Sequence, residues 1–254
     1  MSKSWQDALE EYSYPVNLKD FRHALTYPAF FNQDITGDRD STMGFELYFR
    51  THAKSIEPWF EVVFWKLFSQ PRVLQKTSEA VISQLTMTPQ IKPTDLLEKV
   101  EKFMVSESRE DFESFRKLFR FRSTAIAIVA TFPAFLCPDR FPMVDTRVAK
   151  WVNIHYKKFN AANPDAPQLI PSEFGNNSKA TVLTMNDFSF YIHWIHWTRY
   201  AAEKLSSTTG RSWRPRDVEM AVFTSWGDRN CSHPFIFLSP RFDEDPLAVA
   251  EGSA

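Results

Sequence analysis

At 254 residues and a net charge of −1, the chain is long enough for a large core, and its overall charge marks it for neither nucleic acid nor an anionic membrane. Two cysteines, Cys137 and Cys231, are too few for a disulfide framework or a four-cysteine cluster and point to a reducing, intracellular setting. Six glycines against 24 phenylalanines and eight tryptophans leave few turns that need positive φ and favour long packed helices.

Residues 1–44 contain Tyr14-Pro15, Tyr27-Pro28 and the polar stretch 34–42, and read as an N-terminal arm with little regular structure beyond one or two short helices, wrapped on the body. A helical domain is expected over 45–230. Its early run of Trp59, Phe60, Val62, Val63, Phe64, Trp65, Leu67 and Phe68 is too densely apolar for a one-sided helix and predicts a central one. Val81, Ile82 and Leu85 fit a short helix, and Pro93-Thr94 start another that carries Leu96, Leu97, Val100, Phe103 and Met104. Ser108 and Asp111 form a capping signal ahead of Phe112, Phe115, Leu118 and Phe119.

A helix from about Thr124 is expected to close at Pro133 and Pro138. Another follows Asp145 with Val148, Trp151, Val152 and His155, and a polar loop over 160–179 is expected to be mobile. Asn186-Asp187 open a strong helix through Phe188, Tyr191, Ile195, Arg199 and Leu205 that ends before Gly210, and Pro215 starts the last one. The acidic segment 231–254 reads as a loose C-terminal tail. No run alternates like a strand, so the fold class is all-α. The longest apolar run, Ala125 to Leu136, is too short for a bilayer, and the N-terminal residues show no apolar signal segment, so no membrane association is expected.

Charge is distributed unevenly. Between 115 and 158 lie nine basic residues, Arg116, Lys117, Arg120, Arg122, Arg140, Arg147, Lys150, Lys157 and Lys158, against Asp139 and Asp145. That stretch is net +7 and leaves −8 for the rest, so it either faces phosphates or pairs with carboxylates from elsewhere in the chain.

The strings Arg122-Ser123-Thr124-Ala125 and Phe141-Pro142-Met143-Val144-Asp145-Thr146-Arg147-Val148, separated by an apolar helix, resemble the hairpin and catalytic segment of the helix-hairpin-helix base-excision DNA glycosylases. The resemblance is specific over 115–155 and loose over 45–225, where Phe190–Ile195 and Trp213–Ala221 look like the last helices of relatives in that superfamily. It implies a two-lobed all-α fold, duplex DNA as partner, and Asp145 as the catalytic carboxylate at the sugar. It also implies a monomer inside the cell, without cofactor or metal. The resemblance assigns Arg120, Arg122, Ser123, Thr124, Arg147 and Lys150 to DNA, with the site between the 124–136 and 146–158 helices. The Arg-Ser-Thr-Ala string is most similar to the adenine-specific branch. Lyase-competent members carry lysine where Ser123 stands, so Ser123 implies a monofunctional enzyme. The segment Lys117 to Phe121 lacks the hairpin glycines, and Arg120 and Arg122 are expected to take over their phosphate contacts.

The chemistry asks for such a carboxylate. Breaking an N-glycosidic bond builds positive charge on the sugar, which a fixed carboxylate stabilises, and the base must first be flipped out of the duplex. The alternative is a catalytically inactive nucleic-acid-binding or scaffold protein on the same fold, in which Asp145 only caps the helix that follows it. A second rival is a helical protein that binds a small molecule in an aromatic pocket. His193 and His196, three apart, are read as an aromatic helix face rather than metal ligands, and Arg214 and Arg216 as solvated rather than as phosphate contacts at a helix start.

Overall fold

The computed structural model describes residues 4–14, 37–67, 91–119, 126–174 and 182–225, which are helical with no strand among them. The short helix around Val81, the tail 231–254 and Cys231 lie outside the described residues, as do Arg120, Arg122, Ser123 and Thr124.

The chain enters the core at once. Helix α1 (Trp5–Glu10) begins in a capping box: the Ser4 hydroxyl accepts from the Asp7 amide at 3.1 Å, and the Asp7 carboxylate accepts from the Ser4 amide at 3.1 Å. Trp5, Ala8, Leu9 and Tyr12 recur at helical spacing and are buried, so α1 packs against the last helix, α10 (Pro215–Ser225). Tyr14 stacks on Trp65 with ring centroids 4.1 Å apart, which ties this segment to the centre of the molecule.

Helix α2 (Arg39–His52) opens six residues before Phe45, because Asp38 is an N-cap whose carboxylate accepts from the Ser41 amide at 2.8 Å. Helix α3 (Glu57–Leu67) is buried on every face from Pro58 to Leu67 and is central, as its composition predicts. Helices α4 (Pro93–Ser106) and α5 (Arg109–Leu118) form a hairpin. Pro93 sits where a missing N–H does no harm, and the Ser108 hydroxyl accepts from the Asp111 amide at 3.2 Å.

The helix expected from Thr124 is two short ones, α6 (Ile126–Val129) and α7 (Thr131–Leu136), and Pro133 lies inside the second instead of ending the first. A continuous helix would need an N–H at 133 to donate to the carbonyl of Val129, and proline has none. The break falls at Ala130, and the Thr131 hydroxyl bridges it by donating to the Ala127 carbonyl at 2.9 Å.

Helix α8 (Thr146–Ala162) is followed by a segment that side chains fasten to it. Asn153 exchanges hydrogen bonds with the backbone of Ser172 at 3.2 and 2.8 Å, and Asn160 does the same with Leu169 at 2.8 and 3.0 Å. The described part of the loop expected to be mobile, 163–174, is therefore anchored. A single 3-10 turn (Met185–Asp187) leads into α9 (Phe188–Thr209), which Gly210 ends at φ 68°. Trp59, at the centre, touches Phe49, Phe115, Phe119 and Phe132 with ring centroids between 5.0 and 6.3 Å. Contacts of this kind add roughly 0.5–1.5 kcal/mol each beyond burial, which is where the phenylalanines are used. No helix among the described residues is long and apolar enough to cross a membrane.

Candidate functional site

Asp145 is the N-cap of α8. Its backbone is extended, and Oδ1 accepts from the amides of Arg147 at 2.8 Å and Val148 at 2.9 Å. The segment before it is held in place because Met143 and Val144 are buried and the Trp194 indole donates to the Met143 carbonyl at 2.9 Å. One oxygen is thus committed to the helix end, while the side chain keeps 16% of its exposure. Oδ2 faces Lys66 Nζ from α3 at 4.0 Å.

The surroundings of Asp145 come from α3, α10 and the N-terminal segment. Lys66 Nζ lies 5.8 Å from the centroid of the Tyr14 ring, and the Tyr14 hydroxyl donates to the Lys66 carbonyl at 2.8 Å. Tyr14 also meets Phe223 of α10 at 5.5 Å, and the Arg147 guanidinium lies over Phe223 at 4.5 Å. The helices α6 and α7, expected to form the other wall, supply none of these groups. Burial lowers the Lys66 ammonium from 10.5 to about 8; Asp145 opposes that shift, and Arg216 and Arg147 reinforce it.

The structure separates the basic stretch into two kinds of residue. Arg116 is bound by Glu113 through contacts of 2.5 and 2.8 Å, Lys117 lies 4.0 Å from the same carboxylate, and Arg140 lies 3.6 Å from Glu107. These cations are neutralised within the fold. Arg147, Lys150, Lys157 and Lys158 are exposed on α8, and with Ile154, 61% exposed, they occupy an arc of roughly 100° on a helix that contains no acidic residue. Val148, Trp151, Val152, His155 and Phe159 fill the opposite face. Arg147, Lys157 and Lys158 form no ion pair among the described residues. From Arg147 to Lys158 the stripe runs roughly 16 Å, with Asp145 at its head.

Comparison with known proteins gives no further guide. No family model, curated protein or solved structure matches the chain.

Arg214 and Arg216 are not solvated as expected: Arg216 is buried, Arg214 is partly buried, and both are held in ion pairs. Glu46 of α2 accepts from Arg216 Nε and Arg214 Nη1, each at 3.0 Å, and Arg214 also grips Asp217 through two side-chain contacts of 3.0 Å. Arg39 adds a third donor to Asp217 at 3.2 Å, and Arg216 also pairs with Glu219. Asp217 is held below its ordinary value: burial opposes its charge, and the Arg214 hydrogen bonds and charge prevail. The polar appearance of the Arg-Pro-Arg-Asp string conceals a clamp between α2 and α10.

His193 and His196 diverge. His193 Nδ1 pairs with the Gln168 carbonyl at 2.7 Å, while His196 Nε2 meets Glu107 at 2.8 Å, and Glu107 also accepts from Arg199 at 2.6 Å. Trp194 and Trp197 are buried and stacked at 5.2 Å, as core residues. Sequence reasoning passed over Lys66, Tyr14 and Phe223. The available signal was Lys66 itself, a charge in a run otherwise dense in apolar side chains.

Proposed function

We propose that the chain is a divergent helix-hairpin-helix DNA glycosylase, two-lobed and monofunctional, that hydrolyses the N-glycosidic bond of a damaged or mispaired base in duplex DNA. It acts as a monomer and uses neither metal nor cofactor. The observation that carries this reading is Asp145: a partly exposed carboxylate with one oxygen fixed by two amides, at the head of an acid-free basic helix face. Held in this way, the partly exposed carboxylate stabilises the developing charge of the sugar without having to reorganise. Arg147, Lys150, Lys157 and Lys158 supply positive field along the phosphates, and Arg120, Arg122, Ser123 and Thr124 grip the backbone beside the lesion.

A second reading draws on the same observation. The two amide contacts make Asp145 a complete helix cap, which an inactive nucleic-acid-binding or scaffold protein would also keep. Asp145→Asn separates the two, because asparagine caps equally well and removes only the charge. Duplexes with single lesions are incubated with each protein and treated with alkali to reveal abasic sites. Base release by the wild type and its loss in Asp145→Asn is the expected result; no cleavage on any lesion, or equal cleavage by both, refutes catalysis. Nicking without alkali contradicts the role given to Ser123. Binding is read separately: Lys157→Ala with Lys158→Ala lowers the slope of log affinity against log salt by about two.

A further inference from the structure

One buried cation has no place in that scheme. The Lys66 side chain is 5% exposed, in a helix buried on all sides, and its Nζ has no hydrogen-bond partner among the described residues. The charged or titratable groups that face it are Asp145 and Arg147 of α8, Arg216 of α10 and Tyr14 of the N-terminal segment. An apolar side chain would fill this position without a desolvation penalty, so a buried ammonium paired at 4.0 Å with one carboxylate indicates a task.

We propose that Lys66 is the positioning residue of Asp145: its ammonium fixes the direction of Oδ2, as the α8 amides fix Oδ1. The proposal rests on reading Asp145 as the carboxylate that faces the sugar. The carboxylate is then held from two sides, by a helix end and by an ammonium that lies beside the Tyr14 ring, whose hydroxyl is tied to the Lys66 carbonyl. Neither contact touches the substrate, so Lys66 acts on turnover and not on DNA affinity. The hold needs a charged amine, and Lys66 gives up its proton at about 8, so turnover has an alkaline limb there.

The test has two arms. In the first, Lys66→Met lowers kcat on the order of 100-fold with KM unchanged. Lys66→Arg, which stays charged, restores most of the loss and removes the alkaline limb. A limb that persists in Lys66→Arg, or a Lys66→Met enzyme with wild-type kcat, overturns the proposal. The second arm needs no turnover. In lysine labelled at Cε, the Lys66 resonance, assigned by its absence in Lys66→Met, titrates at about 8 in the wild type. In Asp145→Asn its midpoint falls by about one pH unit or more. An unchanged midpoint overturns the coupling even in an active enzyme, and absence of base release alone overturns only the functional reading.

Discussion

Lys66→Met should change the way stability depends on pH. The folded chain releases the Lys66 proton at about 8, and the unfolded chain at 10.5. Below about 8 both states hold the proton, and the desolvation penalty of the buried ammonium is fully present. Between about 8 and 10.5 the unfolded state binds more protons, so stability contributed by this site rises with pH. At about 1.4 kcal/mol per pH unit, the interval corresponds to a gain of roughly 3 kcal/mol. Tyr12 and Tyr191, whose hydroxyls burial pushes up, titrate in both proteins and cancel in the difference. The assay is urea unfolding of wild type and Lys66→Met at a series of pH values from about 7 to about 10.5. The wild-type stability minus that of Lys66→Met should climb by roughly 3 kcal/mol across the series. A flat difference, or one that falls with pH, means that the ammonium is not penalised by burial and removes the physical basis given above for a task.

Three further outcomes follow from the same contacts. Asp145→Ala should lower stability by about 1 kcal/mol more than Asp145→Asn, because both variants lose the charge facing Lys66 but only alanine leaves two amides at the start of α8 without an acceptor; equal losses in thermal melts would contradict the cap. Glu46→Ala leaves Arg214 and Arg216 without their shared carboxylate and should reduce the urea-derived stability by about 3–5 kcal/mol, while a loss under about 1 kcal/mol would place these arginines in solvent after all. Partial burial acts against the charge of Glu107, but hydrogen bonds and charge from Arg199 and His196 hold its carboxyl below 4.5. Its stabilisation is therefore present above that value and lost as pH falls further, and Glu107→Gln should flatten this acid-side loss in melts between about pH 5 and about pH 3.

Much of the fold was legible because its signals are local. Pro93, Ser108, Gly210 and Pro215 mark helix ends through backbone chemistry that no distant residue alters. The Trp5, Ala8, Leu9, Tyr12 spacing was equally local, yet the prolines after it drew the whole region toward an irregular reading. The site was legible only in part. Asp145 and the exposed positions Arg147 and Lys150 follow from sequence, since a cap and a helical face are both periodic local features. The Lys66 contact joins residues 79 positions apart, and the Glu46 clamp joins residues 168 and 170 apart. Spacing carries no trace of such pairs, which is why Arg214 and Arg216 looked solvated.

The choice between a working carboxylate and a mere cap turns on what the surroundings of Asp145 do for stability. A cap needs an oxygen and two amides, and asparagine or serine would supply the oxygen as well. It does not need a buried amine with no hydrogen-bond partner among the described residues, which weakens the fold at neutral pH. Nor does it need cations on one face of α8 with no acid on the helix to offset them, of which Arg147 and Lys150, three residues apart, are mildly destabilising to the helix. Elsewhere in the molecule several arginines are neutralised: Arg116 by Glu113, Arg199 by Glu107, and Arg214 and Arg216 by Glu46. The buried amine lies at the end of α8 where Asp145 sits, and the basic stripe starts at that end and runs along the helix. Stability alone would not place both there, whereas chemistry on an anionic polymer needs a fixed carboxylate and a basic track together.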